Sequence, residues 1–236
     1  VRSRRQRQMC IRDRGYGAEV ILKGETFNDS RLYMEQLAQE TGKTIVHPYD
    51  DCEVMAGQGT IGLEILDQIW DVDTVIVPVG GGGLISGLAT ALKSFNPSIH
   101  IIGVQSENVH GMAESIKAGE ITSQFTAHTI ADGTEVAIPG NKTYAVVEKL
   151  VDEFVLVSED EIANAMRHLM QRTKIITEGA GALPTAALLS GKIDPRWIKG
   201  KNIVALVSGG NVDLTRVSHI IDDLLKPADT SKGVVG

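Results

Sequence analysis

The stretch "TVIVPVGGGGLISGLATALKS", residues 74–94, sets four consecutive glycines, Gly80 to Gly83, between an apolar β-branched run and a helical pattern. One glycine at such a junction reads as a turn or a cap. Four leave the backbone bare, so that successive N–H groups can converge on a close neighbour; at the start of a helix that neighbour is an anion, phosphate foremost. A plain structural turn is the competing reading. The order strand, loop, helix is also the building unit of an open α/β sheet.

Outward from that unit, strand-like runs alternate with helical ones. Upstream, "AEVILKG" (18–24) has β character, Leu32, Met34, Leu37 and Ala38 recur at roughly helical spacing, and "KTIVHPY" (43–49) reads as another strand. "DCEVMAGQGTIGLEILDQIW" (51–70) reads as a loop followed by a helix, in which Gly57, Gly59 and Gly62 imply close packing or close approach of a ligand. Downstream, strands are expected over 99–105, 153–158 and 202–208. Helices are expected after the glycine loop to about Lys93, from Ser158 to Lys174, over "EGAGALPTAALLSG", and at the end to about Leu225. Ser158 and Glu161 have capping-box spacing. The strands are continuous apolar runs and nearly every one leads into a helix. The expected fold class is therefore three-layer α/β: a largely parallel sheet with helices on both faces.

Composition narrows the function classes. The chain has 236 residues, 42% of them hydrophobic, enough for one large domain or two small ones. Residues 74–92 carry no charge and approach the length of a membrane span, but Pro78 and the glycine run would break a spanning helix. The net charge of −7 hides an asymmetry, because "VRSRRQRQMCIRDR" (1–14) holds six Arg and one Asp. Three readings of this basic leader compete: a nucleic-acid-binding arm, a transit peptide, or sequence foreign to the protein, resembling translated junk at the edge of an assembled sequencing read. The last is favoured, and the acidic body argues against a nucleic-acid partner. Cys10 lies in that leader and leaves Cys52 without a partner, which fits a reducing cytoplasm.

Two strand ends carry the chemistry: "VPVGGGGL", and "VSGGN" with the hydroxyl of Ser208. In an open α/β sheet ligands bind beyond the carboxyl ends of strands. The glycine run has no Lys-Ser/Thr pair after it, and no G-x-G-x-x-G with an acidic residue about 20 positions on, so the familiar nucleotide patterns do not fit.

With those motifs in place, the chain resembles the fold-type II pyridoxal-phosphate enzymes, and among them the catabolic threonine dehydratases (threonine ammonia-lyases). The resemblance covers about residues 15–225 and rests on "GAEVILKG", "HPYDD", "AGQGTIGLEI", "VPVGGGGLISG", "GVQSENVHGM", "ADGTEV", "VSEDEI", "TEGAGA" and "VSGGN", in that order. It implies a small domain whose remnant is 15–50, a large cofactor-binding domain over 51–225 and a tail over 226–236. It also implies that the backbone of Gly80, Gly81, Gly82, Gly83 and Leu84 holds the phosphate of pyridoxal 5′-phosphate and that Ser208 bonds the pyridine nitrogen. Gly133 and Glu178 are placed near the ring, with a cap or core packing as the competing reading for each. The implied reaction is β-elimination of L-threonine, or L-serine, to 2-oxobutanoate, or pyruvate, plus ammonia. The implied protein is an oligomer activated by a nucleotide monophosphate.

The sequence departs from that family at one decisive point. The Schiff-base lysine sits in a Ser-Phe-Lys-type motif and the substrate carboxylate in a Ser-x-Gly-Asn-His loop, and neither occurs in these 236 residues. Lys93 and Lys174 read as solvated helix-end cations and do not replace it. The chain is accordingly expected to be an N-terminally truncated piece without a catalytic lysine, inactive by itself. It ends soon after Leu225, which leaves no room for the regulatory domain of the biosynthetic dehydratases. A divalent metal is not expected: of "QSENVHG" only Glu107 is acidic, out of register with the carboxylates of metal-activated serine racemases, and the histidines show no ligand spacing. The alternatives are a serine racemase or hydroxyaspartate dehydratase of the same fold, and a non-catalytic phosphate- or nucleotide-binding module.

Overall fold

The computed structural model describes residues 12–24 and 27–225; residues 1–11 of the leader, with Cys10, and the tail 226–236 lie outside the described residues. In chain order the elements are α1 (Phe27–Thr41), α2 (Cys52–Gln68), β1 (Thr74–Pro78), α3 (Gly83–Phe95), β2 (His100–Ser106), α4 (Gly111–Ala118), α5 (Asn141–Leu150), β3 (Glu153–Val157), α6 (Glu159–Arg172), α7 (Gly179–Leu189), β4 (Ile203–Ala205) and α8 (Leu214–Leu225). Single 3₁₀ turns occupy Asp132–Thr134 and Pro195–Trp197. No helix among the described residues is long and apolar enough to cross a membrane.

The four strands form one sheet in the order β3-β2-β1-β4, with every pairing parallel. β1 and β2 are buried along their whole length, as expected of strands covered on both faces. Because successive side chains point to opposite faces, they feed two cores: Val75, Val77 and Ile101 join Leu88 and Leu92 of α3, while Ile76, Ile102 and Val104 join Ala182 and Leu183 of α7. Each such Val, Ile or Leu removed from water contributes about 1.5–3 kcal/mol. β3 and β4 are the edges, and β4 is half-exposed throughout.

Helix ends follow the local sequence. Asp51 caps α2 by accepting from the N–H groups of Glu53 and Val54, so the helix starts at Cys52 with no preceding loop inside 51–70. The Ser158–Glu161 capping box is formed at the start of α6. α6 stops at Arg172, two residues short of the expected Lys174, which adopts a left-handed backbone (φ 61°) while Ile175 N–H turns back to Leu169 O. Of the three glycines in α2, Gly59 and Gly62 lie against the backbone of α3, whereas a Cβ at Gly57 would meet nothing within 4 Å. Close packing explains two of the three, and Gly57 is not part of it.

Four readings are corrected by tertiary context. Residues 18–24 and 43–49 have β character but no strand neighbour among the described residues; Ile21, Leu22 and Val46 stand exposed, and an extended run without a ladder is not a strand. β4 covers only 203–205 of the expected 202–208, because beyond Leu206 the chain leaves the ladder to meet the start of α7. Lys93 is not a solvated cation: its side chain is 14% exposed and its Nζ lies 2.7 Å from Asp152 Oδ2, which also accepts from Ile101 N–H. Lys174 is exposed and donates to Gln171 O, as a helix-end cation does.

A second cation ties the sheet to α6. Lys192 Nζ donates to Glu161 Oε2 (2.8 Å), Glu107 Oε1 (3.0 Å) and Leu156 O (3.0 Å). Burial alone would raise the Glu161 carboxyl, but the Lys192 ammonium and the Ser158 N–H outweigh it and hold that carboxyl below its ordinary range. Burial alone would likewise lower Lys192, but the two glutamates outweigh it and hold the ammonium above its usual value. A depressed carboxyl contributes stability above about pH 4.3 that is lost as pH falls through its folded value; a raised ammonium contributes below about pH 10.4 and loses it as pH rises further. The cluster therefore stabilises the fold from about pH 5 to pH 10. Melting temperature is expected to fall on the acid side, with a shallower acid limb in Glu161→Gln; an identical limb in that variant would refute the assignment.

Candidate cofactor site

β1 lies at the centre of the sheet, and its two neighbours are reached by connections that leave in opposite directions, to β2 and β3 on one side and to β4 on the other. Such a switch point opens a crevice beyond the strand ends. A cavity of about 400 Å³ occupies it, within the range of about 300–1,000 Å³ usual for small-molecule sites. Its lining includes Gly80, Gly81, Gly82, Gly83 and Leu84 after β1, Gly133 and Thr134 from the 3₁₀ turn, Glu178 and Ala180 at the start of α7, Ser208 after β4, and Pro48 and Tyr49 from upstream. All eight residues singled out from the sequence thus share one cavity.

Each wall has a local cause. Val79 N–H still belongs to the sheet, donating to Val104 O, and the first helical bond of α3 is Ser86 N–H to Gly82 O. Between them, the N–H groups of residues 80–85 donate to no protein acceptor among the described residues, and Gly82, in the left-handed region (φ 96°), brings neighbouring N–H groups to one side. The absence of side chains is required, not incidental. A Cβ at Gly81 would fall 2.5 Å from the Tyr49 ring, one at Gly83 would fall 2.9 Å from Tyr49 Cα, and one at Gly80 would press on Thr134 at 3.1 Å.

The opposite wall is made by docking the "SGGN" loop onto the start of α7. Gly209 O accepts from both Glu178 N–H (3.1 Å) and Thr177 Oγ1 (2.8 Å). A Cβ at Gly181 would meet Gly209 O at 2.6 Å, and one at Gly210 would meet Ile176 O at 2.6 Å. This contact sets Ser208 in the wall of the cavity. Glu178 is the N-cap residue of α7, with no side-chain cap bond, and lines the same space.

The turn carrying Gly133 and Thr134 is held from several sides. Glu159 accepts from Ser106 Oγ (2.8 Å) and Ile130 N–H (2.6 Å), Glu135 accepts from Thr129 N–H, and Arg216 of α8 donates to Ile130 O. No group of three or more His, Cys, Asp or Glu able to hold a metal occurs among the described residues, and Glu107 is engaged by Lys192. Tyr49, Thr134 and Ala180 were not anticipated as lining. Tyr49 sits within "HPYDD", but nothing in its spacing ties it to a loop more than 30 positions on.

A mostly apolar cavity with a helix-terminal N–H cradle at one wall and a neutral hydroxyl at another fits a phosphorylated, uncharged aromatic ring, as pyridoxal 5′-phosphate provides. A Cβ on any of Gly80–Gly83 would run into Thr134, Tyr49, Met112 or Thr143, so this loop keeps its shape only as bare backbone, and a run of bare backbone N–H groups is what a phosphate would take.

Comparisons with known proteins point the same way. The chain is 74% identical over 223 residues to the catabolic L-threonine dehydratase TdcB of Staphylococcus aureus strain N315, covering 94% of this chain and 64% of that protein. It thus spans less than two thirds of the length of the curated relatives it matches. Among solved structures, maize serine racemase superposes with a TM-score of 0.82 at 36% identity, covering 90% of this chain and 65% of that one. The processed form of threonine deaminase isoform 2 from Solanum lycopersicum does so with a TM-score of 0.82 at 36% identity, covering 91% and 63%. The family model for pyridoxal-phosphate dependent enzymes matches residues 3–209, a span that holds every residue of the cavity just described, and the chain belongs to that family.

Proposed function

We propose that the cavity serves the pyridoxal-phosphate dependent β-elimination of L-threonine, and of L-serine, to 2-oxobutanoate or pyruvate plus ammonia. The observation that carries this reading is the pairing, in one cavity, of an N–H cradle with the hydroxyl of Ser208. The substrate class rests on the 74% identity to a catabolic L-threonine dehydratase. The same resemblance supports a small domain over 15–50, a large domain over 51–225, a cytoplasmic oligomer and a nucleotide monophosphate effector.

When bound, pyridoxal 5′-phosphate supplies an electron sink for removal of the α-proton. This chain's residues do the holding. The N–H groups of residues 80–84 would donate to the phosphate at a helix N-terminus, where partial positive charge favours an anion. Ser208 would offer the ring nitrogen a hydroxyl, which does not stabilise a protonated ring as a carboxylate would, a tuning that would favour elimination over transamination. Thr134 and Tyr49 wall off solvent from two sides.

Among the described residues no lysine lines the cavity. Accordingly the 236-residue chain is expected to bind pyridoxal 5′-phosphate reversibly and to release no 2-oxobutanoate from L-threonine. Turnover would refute the placing of the catalytic lysine outside this chain, and failure to bind would refute the cofactor assignment. A polypeptide joining a Ser-Phe-Lys and Ser-x-Gly-Asn-His segment to residues 15–225 is expected to form 2-oxobutanoate; D-serine from L-serine as its main product would favour the racemase instead.

A further inference from the structure

Two residues outside the cavity lining hold the glycine loop in shape. Thr143, in the first turn of α5, is fully buried, and its Oγ1 lies 2.6 Å from Gly81 O and 3.2 Å from Gly140 O. A hydroxyl has one proton to give, and the shorter contact takes it. That bond fixes the direction of a peptide plane: in a trans peptide C=O and N–H point opposite ways, so anchoring Gly81 O on Thr143 turns the Gly82 N–H away from α5. Gly82 itself packs on the same side chain, where a Cβ would fall 2.9 Å from Thr143 Cβ.

The helix that carries Thr143 is in turn capped from a distance. Its own N-cap residue, Gly140, has no side chain to offer. The cap comes from Asp50, whose carboxylate accepts from the N–H groups of Asn141 (3.1 Å), Lys142 (2.8 Å) and Thr143 (3.2 Å). Three backbone donors on one carboxylate at a helix N-terminus make a favourable arrangement of charge and dipole. Asp50 directly follows Tyr49, whose ring covers Gly81 and whose backbone abuts Gly83. Asp50 thus fixes, through α5 on one side and Tyr49 on the other, the space in which the loop lies.

We propose that Thr143 and Asp50 are positioning residues that aim the glycine-loop N–H groups at a phosphate. The proposal rests on the reading of this cavity as a pyridoxal 5′-phosphate site. It implies an effect confined to the phosphate end of the ligand, which a purely structural role would not give.

The test measures dissociation constants of pyridoxal 5′-phosphate and of pyridoxal, which lacks the phosphate, on the 236-residue chain and its variants. Thr143→Val keeps the shape and removes the donor; it is expected to weaken the phosphorylated ligand about tenfold, the equivalent of about 1.4 kcal/mol, and to leave pyridoxal unchanged. Thr143→Ser restores the difference. Asp50→Asn, at a half-buried position outside the core, is expected to give a smaller loss of the same selectivity, and keeps the proposal refutable should the valine variant not fold. Equal loss of both ligands, or no loss of either, overturns the positioning role while the cavity reading stands. A parent chain that binds pyridoxal as well as its phosphate overturns the cavity reading itself.

Discussion

Replacing Gly87 by valine is expected to destabilise the fold by about 3–5 kcal/mol, a fall in melting temperature on the order of 10 °C. Gly87 lies in α3 where that helix crosses α2, and a Cβ built on it runs into the backbone of Met55 and comes within 2.7 Å of Gly59 N. The contact is reciprocal, since a Cβ on Gly59 would lie 3.1 Å from Gly87 O and one on Gly62 would lie 2.9 Å from the Ala91 Cβ. The obstacles at Gly87 are backbone atoms, which cannot rotate aside. The two helices would have to separate, and α3 carries Leu88 and Leu92 into one of the two cores. Gly57 in the same helix pair is the control: a Cβ there meets nothing within 4 Å, so Gly57→Ala is expected to stabilise by up to about 1 kcal/mol through helix propensity. Thermal or chemical denaturation of both variants decides the matter, and equal effects at the two sites would mean that the helices do not pack through this seam.

That pair of glycines also shows what a sequence can and cannot say. "AGQGTIGLEI" announces that glycine matters in α2, because residues with poor helix propensity persist in a helical pattern. It does not announce that Gly59 and Gly62 face α3 while Gly57 faces nothing. Which face of a helix meets a neighbour is decided by elements distant in sequence. The parallel sheet was legible for the opposite reason: the uncharged run over β1 and its direct passage into a glycine loop and helix state a local demand that only a strand buried on both faces meets.

The candidate site divides along the same line. Gly80–Gly83 and Ser208 were legible because each is a demand of backbone or hydroxyl chemistry at a strand end. Tyr49, Thr143 and Asp50 were not, since their roles arise from contacts with residues 32 to 93 positions away that leave no periodicity. Lys93 was misread for the same reason: its partner Asp152 stands 59 positions on, and without it a lysine in the last turn of a helix looks solvated. The runs at 18–24 and 43–49 failed differently, because β-branched composition records a preference for a pleated surface and a strand exists only where a neighbour supplies its hydrogen bonds.

Replacing Gly82 by alanine is expected to weaken cofactor binding severely while sparing the fold. Two costs meet at this position. Its backbone is left-handed (φ 96°), a conformation that costs a residue with a Cβ roughly 1–2 kcal/mol. The added methyl would also fall 2.6 Å from Met112 Cε and 2.9 Å from Thr143 Cβ. The methionine tip can swing away, but Thr143 is fully buried and held by its bond to Gly81 O, so the loop must move instead. Moving it turns the N–H groups of residues 81–83 off their common point, and an anion loses several donors at once. We expect the dissociation constant for pyridoxal 5′-phosphate to rise about 100-fold, equivalent to about 2.7 kcal/mol. The effect can be read without catalysis. At a cofactor concentration about 100 times the parent dissociation constant, binding stabilises the parent by about 2.7 kcal/mol and the variant by only about 0.4 kcal/mol. The cofactor-dependent rise in melting temperature should therefore shrink from roughly 8 °C to about 1 °C. A variant that keeps the full rise would show that the phosphate is held elsewhere, and the bare backbone of Gly80–Gly83 would then be only the turn that joins β1 to α3.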